Sequence, residues 1–133
     1  MRGVVVAAFL LGTGLAFVLQ TVSGVALSWL LVGSGVRTED LYSAMSDSPA
    51  INLWAHLLNV VAVMPAGALI AWLRPRDALV TAAFAGGLMV IFVIVQFSVP
   101  YVHQAPLWSK ALALLTPIPA AVAGALLWRV RAA

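Results

Sequence analysis

The charged residues of this chain occur singly or in short clusters, and the long uncharged stretches between them limit its fold more than any other feature. Four such stretches cover residues 3–36, 48–73, 78–109 and 111–128. A bilayer core ~30 Å thick is crossed by roughly 17–25 apolar residues of helix, so each stretch is long enough for one crossing. The sequence therefore predicts an all-α integral membrane protein, a four-helix antiparallel bundle that forms one domain over residues 1–133.

The composition agrees with this class and excludes others. Charged residues make up 8% of the chain, and the mean hydropathy is +1.10. Soluble domains have about 25% charged residues, because their surface must interact with water. The sequence pI near 10.2 rests on a net charge of only +3, with basic residues scattered along the chain, so nucleic acid is not an expected partner. The absence of cysteine excludes disulfides, thiolate metal sites and a thiol nucleophile.

The N-terminal segment resembles a signal peptide, because Arg2 precedes an apolar stretch. Small residues at Ser23 and Gly24 could serve a peptidase. The apolar stretch continues through residues 25–32, however, and a signal h-region is only about 7–15 residues long. We therefore expect an uncleaved first transmembrane helix.

The basic residues predict the orientation in a cell (inner) membrane. In a four-helix chain the N-terminus, the second loop and the C-terminus lie on one side. These three regions hold most of the basic residues, namely Arg2, Arg74, Arg76, Arg129 and Arg131. The first and third loops hold only Arg37 and Lys110. The positive-inside rule therefore places both termini in the cytoplasm.

Proline, glycine and capping residues predict where the helices begin and end. The four transmembrane helices are expected at about residues 4–32, 49–73, 78–99 and 107–130. In the first loop, a short helix at 38–46 is expected at the extracytoplasmic membrane surface, with Thr38 as its N-cap. Pro117 and Pro119 lie inside the fourth helix, where each removes a backbone hydrogen bond and favours a kink.

Small residues recur every fourth position along the first helix. Gly12, Ala16, Gln20, Gly24 and Ser28 form this stripe, which would let another helix approach closely. We expect Gly12, Ala16 and Gly24 to be helix-packing residues. The partner helix belongs either to the same chain, the favoured interpretation, or to a second copy in a homodimer.

Polar residues within the helices form one layer and are the only functional signal. At 1.5 Å per residue, the members lie ~20–28 Å from the cytoplasmic helix ends, in the outer half of the membrane. The layer contains Gln20, His56, Asn59, Gln96 and Thr116. Such side chains usually face the bundle interior and find partners there. They serve either as hydrogen-bonding contacts between helices, which is the favoured interpretation, or as a ligand or ion site open to the outside.

Counting along the second and third helices predicts a specific contact in this layer. A turn of only four residues joins these helices, and His56 and Gln96 lie at nearly the same height above it, with Asn59 one turn deeper. Neither His56 nor Gln96 can face hydrocarbon without cost. We therefore expect them to bond to each other directly or through one water.

The layer limits the chemistry that can occur in the membrane. No Asp or Glu lies in a predicted span, so a carboxylate-based proton carrier is not favoured. His56 and His103 differ in height by about 12 Å on straight helices, which disfavours haem or a metal site. No Ser/His/Asp arrangement is evident. The chain is therefore not expected to be an enzyme, and no cofactor is expected.

Two functional interpretations remain. The first is a non-catalytic membrane subunit or binding module, whose partners are the lipid bilayer and either a second copy or another membrane protein. The alternative is a small transporter or channel for a neutral or weakly polar solute, which would use the polar layer.

Overall fold

The backbone of the described part of the chain, residues 2–98 and 105–132 of a computed structural model, is almost entirely helical. Its elements are α1 (Arg2–Gly33), a 3₁₀ helix (Thr38–Asp40), α2 (Leu41–Asp47), α3 (Pro49–Leu73), α4 (Ala78–Gln96), α5 (Leu107–Leu115) and α6 (Pro117–Ala132). The described residues contain no strand. The predicted all-α fold class is confirmed.

Four helical segments of the described chain are long and apolar enough to cross a membrane. They are Val5–Gly33, Pro49–Leu73, Ala78–Gln96 and Leu107–Ala132, the last comprising α5 and α6. Their outward faces carry large apolar side chains; Leu107, for example, is 83% exposed. A soluble protein rarely exposes contiguous apolar surface of this extent, so these faces suit hydrocarbon rather than water.

The third span ends earlier than the sequence predicts. It ends at Gln96 rather than near residue 99, because the Phe97 N–H is shared between the Val93 and Ile94 carbonyls, each at 3.1 Å. The predicted end at 99, with Pro100 after it, lies outside the described residues.

The fourth span is interrupted at Thr116, between α5 and α6. Pro117 follows directly and has no N–H to donate to Ala113, which is the physical reason for the break. Helical hydrogen bonding resumes directly after the break, because the N–H of Ala120 bonds the Thr116 carbonyl at 3.0 Å.

The first loop folds as two short helices in succession. Thr38 is not an N-cap, because it already lies within the 3₁₀ helix. α2 then extends one residue past the expected end, to Asp47. Ser48 caps α3: its hydroxyl accepts a hydrogen bond from the Ile51 N–H at 3.4 Å, with Pro49 at the first helical position.

Glycine permits backbone contact between α3 and α6. A Cβ added to Gly67 would overlap the carbonyl of Ala121, and one added to Gly124 would overlap the carbonyl of Met64. Most of the buried apolar residues around this contact are alanines, and the larger fully buried side chains are Ile70, Met89 and Val63. Small residues of this kind allow the close helix approach on which packing in membranes depends.

The stripe on α1 packs along only part of its length. A Cβ on Gly12 would lie 2.6 Å from the Ile70 side chain of α3, and Ala16 is buried. Gly24 makes no close contact with the rest of the described chain, because no described atom outside its own helix backbone lies within 4 Å of the position of its Cβ, and its role in helix packing stays a prediction. A cavity of about 90 Å³, with Gly24 in its wall, separates this part of α1 from α2 and α3.

Candidate functional site

Two adjoining cavities lie among α1, α3, α4 and the α5–α6 segment. The smaller, which we call the histidine cavity, has a volume of about 20 Å³ and is lined by His56 and Thr116. The larger, which we call the glutamine cavity, has a volume of about 150 Å³ and is lined by Gln96. Gln20 and Asn59 line both cavities, so together the two cavities collect all five residues of the predicted polar layer.

The volumes set what each cavity can hold. One water needs about 10–15 Å³ of such space, so the histidine cavity can hold a single water and the glutamine cavity several waters or a small solute. The aromatic rings of Phe17 and Phe92 lie 5.6 Å apart between centroids and form an apolar side of the glutamine cavity. None of the described residues that line either cavity is charged.

The carboxamides in these cavities have no hydrogen-bond partner in the described part of the chain. The side chains of Gln20, Asn59 and Gln96 make no hydrogen bond to any other described residue. A primary amide offers two N–H donors and one carbonyl acceptor. These groups are open to a molecule inside the cavity, so the glutamine cavity is suited to a molecule that both donates and accepts hydrogen bonds.

Backbone groups add acceptors to the histidine cavity. Pro117 leaves the Ala113 carbonyl without its intrahelical donor, and both residues line this cavity. The Thr116 hydroxyl donates to the Leu112 carbonyl at 2.8 Å, so it retains acceptor capacity. Irregular backbone at membrane depth is tolerated where it is buried in protein or lines such a cavity.

A hydrogen-bonded chain connects the C-terminus of α2 to the histidine cavity. The Asn52 amide donates to the carbonyls of Met45, at 2.5 Å, and Ser46, at 3.3 Å. Ser109 of α5 donates to Asn52 Oδ1 at 2.9 Å. His56 Nε2 then lies 2.8 Å from the Ser109 hydroxyl oxygen. Asn52 and Ser109 are both buried.

The donor and acceptor roles in these hydrogen bonds assign the tautomer of His56. Backbone carbonyls only accept, so the NH₂ group of Asn52 must face Met45 and Ser46, and its oxygen must face Ser109. A serine hydroxyl has one hydrogen, which Ser109 gives to Asn52. His56 Nε2 must therefore donate to Ser109, and in the neutral ring Nδ1 is left as an acceptor. The imidazole also meets Trp108 edge to face, with centroids 6.2 Å apart.

A direct hydrogen bond between His56 and Gln96, one of the two forms predicted, is absent from the described part of the chain, and His56 bonds Ser109 instead. The two side chains lie in neighbouring cavities, with Asn59 in the wall of both. Counting residues along the second and third helices gives the heights of His56 and Gln96 but not the rotation of each helix about its axis. In the structure, α3 turns His56 toward α5, and Gln96 is exposed at the end of α4.

Asn52 and Ser109 were not found by reasoning from the sequence. The available signal was their spacing and position: Asn52 precedes His56 by four residues on the same helix face, and Ser109 lies in the first turn of the helix that follows the third loop. His103, considered above as a partner for His56, lies outside the described residues. Among the described residues, no group of three or more His, Asp or Glu side chains could hold a metal ion.

Comparisons with protein-family models, with curated proteins and with solved structures found no match to this chain.

Proposed function

We propose that this chain is a non-catalytic membrane subunit or binding module of the cell (inner) membrane, and that the paired cavities are its ligand site. The observation that carries the proposal is the set of carboxamides of Gln20, Asn59 and Gln96, which have no hydrogen-bond partner among the described residues and surround an uncharged cavity of about 150 Å³. Their donors and acceptors match a small neutral solute that bears hydroxyl or amide groups. The proposal includes no catalysis and no cofactor.

The order of contacts supports an antiparallel bundle. His56 contacts Ser109, and a Cβ on Gly67 would contact Ala121, so position numbers rise together along α3 and the α5–α6 segment. Gly12 lies against Ile70, whereas Gln20 and Asn59 share a cavity, so numbers rise along α1 as they fall along α3. Neighbouring spans in the chain would then run in opposite directions.

The proposed orientation places both termini in the cytoplasm and α2 at the outer surface of the membrane. Its support is the distribution of basic residues together with the exposed tryptophans. These are the belt residues expected at membrane surfaces, and they are Trp29, Trp54, Trp72, Trp108 and Trp128. Gly24 is exposed on α1 beside the cavity of about 90 Å³ that it lines, which leaves room for contact with a second copy or another membrane protein.

Cysteine labelling tests the site and the orientation together, because the chain has no cysteine of its own. A membrane-impermeant methanethiosulfonate should label Asn59→Cys from the extracytoplasmic side, since reaction requires a thiolate and hence water at the cavity. Val61 is 62% exposed, and its exposed side would face lipid rather than water. A cysteine in its place would not ionise there, so Val61→Cys should stay unlabelled.

Ser46→Cys, next to the end of α2, reports the orientation independently. Labelling of Ser46→Cys only from the cytoplasmic side would overturn the orientation. Labelling of Ser46→Cys from outside, with Asn59→Cys as unreactive as Val61→Cys, would mean that water does not reach the cavities and would overturn the ligand site.

A small transporter or channel is the second candidate, favoured because the uncharged cavities lie within the spans. Glycerol, a neutral solute with several hydroxyl groups, is a suitable probe. In proteoliposomes the transporter interpretation predicts faster light-scattering recovery with glycerol than in empty liposomes, and Asn59→Leu should abolish the difference. Equal rates with the wild-type protein would contradict transport of this solute and favour the binding module.

A further inference from the structure

A groove on the lipid-facing surface between α3 and α6 is distinct from the paired cavities. Its volume is about 480 Å³, and its walls are formed by residues 61–68 of α3 and 124–131 of α6. From its first to its last residue, each wall rises about 10 Å along its helix. The lining residues are apolar except at one end, where Arg131 lines the groove.

The end of the groove has the character of a membrane–water boundary. Trp128 lines the groove one turn before Arg131, and both lie in the last turns of α6. Tryptophan is enriched at the level of lipid headgroups, and arginine binds phosphate through a fork of N–H donors. In the other direction, the walls extend to Val61, twelve residues from the end of α3 and about 18 Å deeper.

We propose that this groove binds one anionic phospholipid, with an acyl chain along the apolar walls and the phosphate at Arg131. Charge complementarity selects the headgroup class, because Arg131 is the only charged residue among those lining the groove in the described part of the chain. Arg129 lies in the same helical turn but outside the groove, so a bound headgroup would use Arg131 specifically.

Native mass spectrometry of the full chain, titrated with dioleoyl phosphatidylglycerol or dioleoyl phosphatidylcholine, tests the proposal. The wild type should retain one phosphatidylglycerol about fivefold more tightly than phosphatidylcholine, the preference expected from one basic residue near the membrane surface. Arg131→Gln should remove this preference, and the matched variant Arg129→Gln should keep it. Equal losses in the two variants would indicate diffuse attraction to the basic helix end and would overturn the proposal.

Filling the groove tests the acyl-chain site separately from the headgroup. Ala68→Phe should weaken binding of both lipids, and Leu127→Trp provides a second filling variant if the first does not fold. Undiminished phosphatidylglycerol binding in a folded filling variant would overturn the proposal. So would a wild-type dimer that a filling variant converts to a monomer, because the occupant would then be a second copy of the chain.

Discussion

Replacing Gly67 with alanine is expected to lower the free energy of unfolding by about 3 kcal/mol, at the upper end of the cost of overpacking a core. The reason is that the added Cβ would meet the backbone carbonyl of Ala121 and the backbone nitrogen of Ala125, rather than the end of a flexible side chain. Backbone in a helix cannot move locally, so α3 and α6 must separate along their shared contact.

Gly87→Ala is the matched control, because it makes the same chemical change within another transmembrane helix. No described atom outside its own helix backbone lies within 4 Å of the position of a Cβ on Gly87. This variant should be neutral or more stable, since alanine is favoured over glycine in helices by about 1 kcal/mol. Thermal unfolding followed by circular dichroism in one detergent compares the two variants. Similar stabilities would contradict the close contact of α3 and α6.

The spans could be predicted from the sequence because charge is excluded from hydrocarbon regardless of how the helices pack. The placement of Arg74 and Asp77 gives the turn between α3 and α4, and the structure adds their ion pair, 2.5 Å between nitrogen and oxygen. Proline chemistry predicted a disturbance in the fourth span, which the structure places at Thr116. These features depend on local sequence and on solvent, not on neighbouring helices.

Helix rotation could not be predicted, and most of the differences in the site come from it. Height along a helix follows from counting at 1.5 Å per residue, so the polar layer could be identified. Which side chain His56 meets depends on how α3 is rotated, and that is set by the close approach at Gly67 and Gly124. Neither glycine belongs to the stripe on α1 that the sequence emphasised, so the pairing with Ser109 was missed.

The chain of hydrogen bonds from α2 to His56 makes Asn52 the next most sensitive position. Asn52→Ala removes both donors to the carbonyls of Met45 and Ser46 and the acceptor for Ser109. Leaving such buried groups unpaired costs about 1–3 kcal/mol, so we expect a loss of about 2 kcal/mol in the free energy of unfolding. Detergent-based unfolding titrations measure this loss.

Asn59→Ala is the control that separates a structural asparagine from a ligand-facing one. Both residues lie on α3, but Asn59 makes no hydrogen bond to another described residue, so its loss should change stability by less than about 0.5 kcal/mol. Equal losses at the two positions would contradict the network.

A second readout of the hydrogen-bond network is the ¹⁵N spectrum of the His56 ring, assigned with His56→Gln. The neutral wild-type ring should carry its proton on Nε2, and Ser109→Ala should allow both tautomers, because His56 then loses the acceptor that fixes the proton.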